Sequence, residues 1–594
     1  MKLTGGEIVV KQLVSEGVPY ILGIPGHGVL CLFDAIRKEV ESGAIKYIQV
    51  KHEQAAAAVA DGYFRVKGEP LAVVASIGPG TLNTCIGLGT AYVDSTELLA
   101  LCGDTHTHMK GVGVLQEVER YQDSNIVRSL EPLVKRAWRA ESAEQLPRIM
   151  RRAFDQMSSG RHGPCVVTLP MDVQSEAVEC TVRRSERTRS LPCADDAYID
   201  KAVELMRTAK RPVILIGGGA LYSRAGEAIV QLAEKWGAAM VTTLAAKGTV
   251  AETHPQYCFH TGSKGTPIGL KICRDADVVL ALGTRFADET ACSYRKGVAF
   301  NFPDTKLIHV DMDAHEIGKN YPADIGIVAD LGDSVARILE HSDSFEIHQS
   351  YLDEITSLRR SWFDYLDAVR SKNVGAITIS QLVGLINTSV PDDTIIVTSS
   401  GNTQAQLFQE YCYAKPYRNL TTGGFSAMGW AFPAAIGAKL AAPDAPVLAF
   451  VGDGDFMMTM QELSTIAQYD IPVVILVANN SGWMAIKDLQ SDAFGDELAF
   501  GNDFLGHDDT VYSPDFASVA RGFGIDAYDE STPEGVTHAL DEALRSGKPA
   551  LVNVNVCREY PDSGGRSFGW WDVPIPTYLE QKRDVYEAQI KEEF

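Results

Sequence analysis

Short runs that are apolar on every residue recur along this chain, and most run straight into a glycine-rich turn. Residues 20–24 enter Pro25-Gly26-His27-Gly28, 71–75 enter Gly78-Pro79-Gly80, and 213–216 enter Gly217-Gly218-Gly219. Residues 278–282 enter Gly283-Thr284-Arg285, and 447–451 enter Gly452-Asp453-Gly454-Asp455. A strand with one face in water alternates apolar and polar residues. A run without alternation must be buried on both faces, as in a parallel sheet covered by helices. Further runs at 98–102, 165–169, 307–310, 395–397, 473–477 and 550–554 repeat the signal, with helical spacing between them. Thr4 is placed to cap a first helix whose Val9/Leu13 and Val10/Val14 pairs share a face, and Gly17 to end it. Residues 180–195 are charged and aperiodic, which predicts a connection, and 341–375 predict a second, helical one. The expected fold is α/β in three domains, each a mostly parallel sheet flanked by helices. They span residues 1–178, 190–340 and 376–560, followed by a tail over 561–594. The first and third units are alike in style and size, which hints at an old duplication.

Composition narrows the function classes. A chain of 594 residues is too long for one core, and 45% apolar with 22% charged residues is the balance of a soluble globular protein. The formal charge of −23, from 54 Lys and Arg against 77 Asp and Glu, argues against a nucleic-acid partner, whose phosphates call for cations. A small anionic substrate stays open, because it meets local charge. Residues 1–7 have no apolar segment behind positive charge, and runs such as 472–478 fall far short of the ~20 residues of a membrane helix. The 11 cysteines include no C-x-x-C pair, and Cys85, Cys102 and Cys165 sit among apolar neighbours as small core residues. A cytoplasmic, reduced protein is the expectation.

The stretch richest in chemistry is Gly452-Asp453-Gly454-Asp455, followed one helix and one strand later by Asn479-Asn480. Asp453 ends a buried strand, so its carboxylate lies at the carboxyl edge of the sheet, where open α/β folds bind ligands. Gly452 and Gly454 let backbone N–H groups approach a phosphate. A helix over about 461–469 and the strand 473–477 return the chain to the same edge and deliver Asn480. Asp453, Asn480 and the Gly482 carbonyl are hard oxygen ligands. With two diphosphate oxygens and a water they suit octahedral Mg²⁺. A glycine-aspartate-glycine turn alone is common; the whole spacing is not.

That pattern resembles the thiamine-diphosphate motif, and the chain as a whole resembles the acetolactate-synthase-like family. The match is carried by Lys51-His52-Glu53-Gln54, Gly78-Pro79-Gly80-Thr81-Leu82-Asn83, Leu115-Gln116-Glu117, Gly163-Pro164, Leu169-Pro170, Asp172-Val173-Gln174 and Gly424-Phe425-Ser426-Ala427-Met428-Gly429. The resemblance implies a pyrimidine-binding first domain, a central domain of dinucleotide-binding type and a diphosphate- and Mg²⁺-binding third domain, with the tail as a possible active-site lid. It implies that Glu53 hydrogen-bonds the coenzyme's aminopyrimidine, although Glu53 by itself is an ordinary first-turn acid. Met428 would prop the coenzyme bent, and the Ser426 carbonyl and Met428 N–H would hold the pyrimidine edge. Gly80, Asn83 and Asp455 would lie beside the coenzyme, and Asn402 and Gln404 would lie in the diphosphate loop, where the family often has His at the position of Thr403. Coenzyme sites in this family lie between two subunits, so a homodimer at minimum, and a homotetramer above it, is implied.

The same resemblance implies a transferase or C–C lyase acting on a 2-oxo acid or related dicarbonyl, with acetolactate-synthase-like carboligation first. A decarboxylase, lyase or α-diketone or ketol hydrolase is the alternative, and a catalytically silent partner subunit a third reading. His27 faces the substrate by this comparison, where synthases usually have a small residue, and Gln116 approaches the reacting centre. Ala485 and Leu489 stand where synthases carry a methionine and a tryptophan. Trp483, Trp570 and Trp571 either rebuild that pocket wall or pack in the core. The central domain resembles a flavin-binding one, implying Gly218, Gly219, Arg285, Asp311 and Asp330 as dinucleotide contacts. Gly262-Ser263-Lys264-Gly265 replaces the family's Gly-Met-His-Gly, so FAD, ADP or an empty domain are the alternatives.

Overall fold

The computed structural model describes residues 1–119, 125–185, 190–564 and 566–593. Positions 120–124 of the first unit, 186–189 of the expected connection, and 565 and 594 of the tail lie outside it. Three six-stranded sheets, parallel throughout, carry the fold, and helices lie between their strands. In spatial order the first sheet runs Lys46–Gln49, Tyr20–Gly23, Ala72–Ala75, Leu99–Asp104, Cys165–Pro170, Arg136–Arg139. The third runs Asn419–Thr421, Ile395–Thr398, Val447–Gly452, Val474–Asn479, Ala550–Asn555, Asp526–Glu530. Numbered along the chain, both have the order 2-1-3-4-6-5, which an internal duplication would leave. The central sheet runs Tyr257–His260, Ala239–Thr242, Pro212–Ile216, Val278–Leu282, Lys306–Asp311, Ile325–Val328, the order 3-2-1-4-5-6 of doubly wound dinucleotide domains.

The fully apolar runs are interior strands, buried on both faces as the absence of alternation requires. The outermost strands escape that criterion. Arg136–Arg139 and Asp526–Glu530 are short, charged and partly exposed, and only pairing with an inner neighbour makes them strands. Local signals hold where the chain itself supplies the partner. Thr4 Oγ1 accepts from Glu7 N–H (3.2 Å), Glu7 Oε2 accepts from Thr4 N–H (2.9 Å), and Gly17 closes the helix Gly5–Glu16 at φ 83°. All 11 cysteines are free thiols, and Cys102 and Cys165 are buried. No helix among the described residues is long and apolar enough to cross a membrane.

The first and third domains meet through the helices Glu53–Lys67 and Ala431–Ala441, which approach closely because their facing residues are small. A Cβ at Gly62 would stand 2.2 Å from the Ala434 carbonyl oxygen, and one at Gly437 2.0 Å from that of Val59. Gly437→Ala is therefore expected to destabilise the protein by about 1–3 kcal/mol, read as a lowered Tm. An unchanged Tm would mean the helices can part without loss. Beside this contact Arg65 is buried and saturated. It donates to Asp61 (2.8 and 3.1 Å), Asp94 (2.9 Å) and the Thr421 carbonyl (2.6 Å), and it lies 4.8 Å over the Trp430 ring. The central domain is latched to the third by the buried pair Lys247–Glu252 (2.7 Å), Lys247 also donating to the Tyr411 carbonyl.

Candidate active site

In the third sheet the strand order reverses between Ile395–Thr398 and Val447–Gly452, and ligands sit at such a switch point. Asp453 follows there. Its carboxylate accepts from Gly454 N–H (2.7 Å) and Gly482 N–H (3.2 Å), so the loop 480–482 does return beside it. Burial pushes its carboxyl up to about 6 against the pull of those N–H groups. No cationic side chain pairs with it among the described residues. A desolvated carboxylate at this edge fits a small divalent cation, for which the Asn480 amide oxygen and the Gly482 carbonyl would be the further oxygen ligands. No group of three His, Cys, Asp or Glu suited to a metal occurs among the described residues, so a cation here would rest on this mixed oxygen set. Gly454 is required for packing as well, since a Cβ would lie 2.2 Å from the Trp483 ring.

The helix Asn402–Glu410 opens at the same edge after Gly401, at φ 125°, with no side-chain cap. Among the described residues its first three N–H groups have no protein acceptor, which is how a helix receives phosphate. The side chains predicted to help are committed elsewhere. Asn402 donates both amide hydrogens, to Asp488 Oδ2 (2.8 Å) and the Ser563 carbonyl (3.1 Å), and Gln404 donates to Thr421 Oγ1 (2.6 Å). Thr403 Oγ1 is buried without a partner. Asp455, read from the sequence as a coenzyme contact, accepts from Ser399 Oγ and from Gly429 N–H, both at 2.5 Å. It ties three loops of the edge together instead of pointing outward. Ser426, at φ 50°, and Met428 lie exposed on the loop Asp455 anchors.

The second group forms at the carboxyl edge of the first sheet. Glu53 opens its helix buried, and Asn83 Nδ2 donates to its Oε2 (2.9 Å). A Cβ at Gly80 would stand 3.0 Å from its Oε1, so Gly80, Asn83 and Glu53 are brought together. Gln116, at φ 68°, reaches the same edge through its backbone. Its carbonyl would meet a Cβ at Gly78 at 2.1 Å, while the side chain is exposed. His27 lies exposed on the neighbouring loop, steadied by Gly28 N–H donating to Ser76 Oγ (3.3 Å). Among the described residues no hydrogen bond or ion pair joins the Glu53 group to the Asp453 group. Both are bordered by bare apolar side chains. Leu82, Ile86 and Leu115 (75% exposed) flank the first, and Phe425, Met428 and Phe500 (87% exposed) belong to the third domain.

Three family models match the chain in order. They are the N-terminal TPP binding domain of thiamine pyrophosphate enzymes over residues 3–124, the central domain over 199–338 and the C-terminal TPP binding domain over 399–554. A probable acetolactate synthase large subunit of Methanocaldococcus jannaschii is 33% identical over 562 residues, covering 93% of this chain and 92% of the relative. This chain belongs to the thiamine pyrophosphate enzymes. The acetolactate synthase large subunit of Haemophilus influenzae (32% identical) and the isozyme 3 large subunit of Escherichia coli (31%) are similar over 93% of the enzyme and 95% of their own length.

In the central domain of this thiamine pyrophosphate enzyme the two glycine turns meet at the switch point. Gly219 N–H donates to the Gly283 carbonyl (2.9 Å), and Gly218 lies in the same turn. Arg285 is half-buried there, donates only to the Val93 carbonyl (3.1 Å), and has no carboxylate within ion-pair distance among the described residues. Burial lowers its pKa, as it does for Lys264 in the Gly262–Gly265 turn. A largely desolvated guanidinium whose acidic neighbours, Asp94 and Glu316, stay beyond ion-pair distance fits an anionic ligand. Asp311 accepts from Asp313 N–H (2.8 Å) and is pushed up to about 6 by burial, and Asp330 caps the helix Leu331–Glu340. The tail crosses this domain. Phe568 meets Trp362 edge-on (5.7 Å), Gly569 N–H donates to the Ser263 carbonyl (3.2 Å), and Trp571 donates to Asp288 (3.0 Å). Trp570 stands under Arg295, whereas Trp483 packs on Gly454 and Phe504. Trp570 and Trp571 thus pack on the central domain and Trp483 on the third. Asp488 and Ser563, which join the start of the helix Asn402–Glu410 to the tail, carry no motif and are found only through Asn402.

Proposed function

We propose that this enzyme is a carboligase of the acetolactate-synthase type, taking a 2-oxo acid as donor and a second carbonyl compound as acceptor. The observation that carries the reading is the pair of half-sites in a chain similar over 93% of its length to acetolactate synthase large subunits: a buried acid in one, an uncompensated carboxylate in the other. When bound, thiamine diphosphate supplies a nucleophilic carbon for attack on the substrate carbonyl. The protein's part is to hold and to time. Asp453, Asn480 and the Gly482 carbonyl hold Mg²⁺, and the free N–H groups of residues 402–404 receive the diphosphate. Ser426 and Met428 hold the pyrimidine, and the Glu53 carboxyl faces the ring and hydrogen-bonds it. His27 and Gln116 face the substrate oxygen, where an imidazole can donate or accept a proton near neutral pH.

Glu53 of one chain and Asp453 of another complete each site, and the exposed apolar borders are the surfaces that meet, which requires at least a homodimer. The lone Arg285 supports a nucleotide in the central domain, FAD or ADP. A yellow purified protein decides for the flavin. The second reading, a decarboxylase or lyase, is favoured by His27, Ala485 and Leu489. Incubation with pyruvate decides between the two: acetolactate supports the carboligase, and acetaldehyde without acetolactate rejects it.

A further inference from the structure

Between Asp453 and the next strand lie a turn of 3-10 helix, Met460–Glu462, and the helix Leu463–Tyr469. This short element grips the turn that delivers Glu53. Glu462 is fully buried, and its two carboxylate oxygens accept from Lys51 N–H at 3.0 and 3.3 Å. Thr465 Oγ1 donates to Glu462 Oε2 (2.6 Å), fixing the carboxylate from below. Tyr469 Oη accepts from Gln49 N–H (2.8 Å), and Gln468 Oε1 from Lys51 Nζ (2.7 Å). Residues 49–51 lead directly into the helix that begins at Glu53, so every one of these bonds bears on where that carboxylate stands. Burying an acid is expensive, and burial does push the Glu462 carboxyl up to about 7. A turn needing only a filled N–H could have used water or a neutral side chain.

We propose that Glu462 is a positioning residue for Glu53, holding the turn at residues 49–52 so that the Glu53 carboxylate meets the coenzyme in register. This rests on the reading of Glu53 as the group facing the coenzyme's pyrimidine. The consequence is mechanical. The segment that carries a chain's Asp453 also fixes that chain's Glu53, although the two serve different sites.

The test uses Glu462→Gln in the full-length protein with two readouts. Amide hydrogen exchange over residues 49–54 in the coenzyme-free protein is expected to rise about tenfold. With coenzyme and Mg²⁺ added, kcat is expected to fall about 10- to 100-fold, while KM for the 2-oxo acid and the coenzyme Kd stay within about threefold. Unchanged exchange, or an unchanged kcat, overturns the proposal. So does a loss confined to coenzyme affinity, which would place Glu462 with the diphosphate site. Should Glu462→Gln fail to fold, Thr465→Val and Tyr469→Phe each remove one bond of the grip. Faster exchange with lower kcat in either supports the proposal, and no change in both overturns it. Glu53→Gln separates the two layers. If it retains full kcat, the reading of Glu53 fails and this proposal with it. If it loses kcat while Glu462→Gln does not, only this proposal fails.

Discussion

Asp453→Asn is expected to abolish turnover while leaving the protein folded. The carboxylate is buried with N–H donors and, among the described residues, no cationic side chain pairs with it, so the ligand-free chain carries a charge that a divalent ion would neutralise. Asparagine keeps the shape and removes the charge. The fold loses one N–H acceptor, worth about 1 kcal/mol, and is relieved of a desolvated anion, so the two effects on stability oppose each other. Binding has no such offset, because the remaining ligands are neutral. Wild-type protein at a coenzyme and Mg²⁺ concentration a hundred times Kd should gain about 2.7 kcal/mol of stability, visible as a raised Tm. The variant should show no rise and no heat of binding in calorimetry. A variant that still binds and turns over at saturating Mg²⁺ would remove Asp453 from the metal site.

Glu53→Gln should lower kcat by about 10²- to 10⁴-fold, the range for loss of a placed proton-transfer group, while coenzyme affinity changes little. Gln keeps the size of the side chain, and its carbonyl oxygen can still accept from Asn83 Nδ2, so the local structure should persist. What it cannot do is share a proton as a carboxyl does. The competing account makes Glu53 a first-turn acid that interacts with the helix dipole, worth about 0.3–1 kcal/mol. That account predicts a slightly lower Tm and an unchanged kcat. The two readouts move in opposite patterns, so one variant decides between them.

The candidate site was legible where its chemistry is written contiguously. Gly452-Asp453-Gly454 with Asn479-Asn480 locates the Asp453 edge of the third sheet because a strand end, a glycine turn and a returning strand form a local syntax. Asp455 belongs to the same words and does something else: its oxygens are taken by Ser399 and Gly429. Nothing in the sequence separates an aspartate that faces a ligand from one that ties loops, since that depends on which loop ends lie opposite. Asn402 is a similar case, reached by Asp488 and Ser563 from far along the chain. Glu462 has no signal beyond an acid ahead of a short helix.

By itself the sequence determined that this protein has interior parallel strands covered on both faces, and which turns carry its polar chemistry. Apolar runs without alternation and glycines at strand ends are properties of neighbouring residues, so they survive in one dimension. Tertiary structure alone decided the strand orders, the membership of the outermost strands and the grip of Glu462 on the Glu53 turn. Each is a contact between residues tens to hundreds of positions apart. Its strength comes from burial and geometry that only the assembled sheets create, and no local period records it.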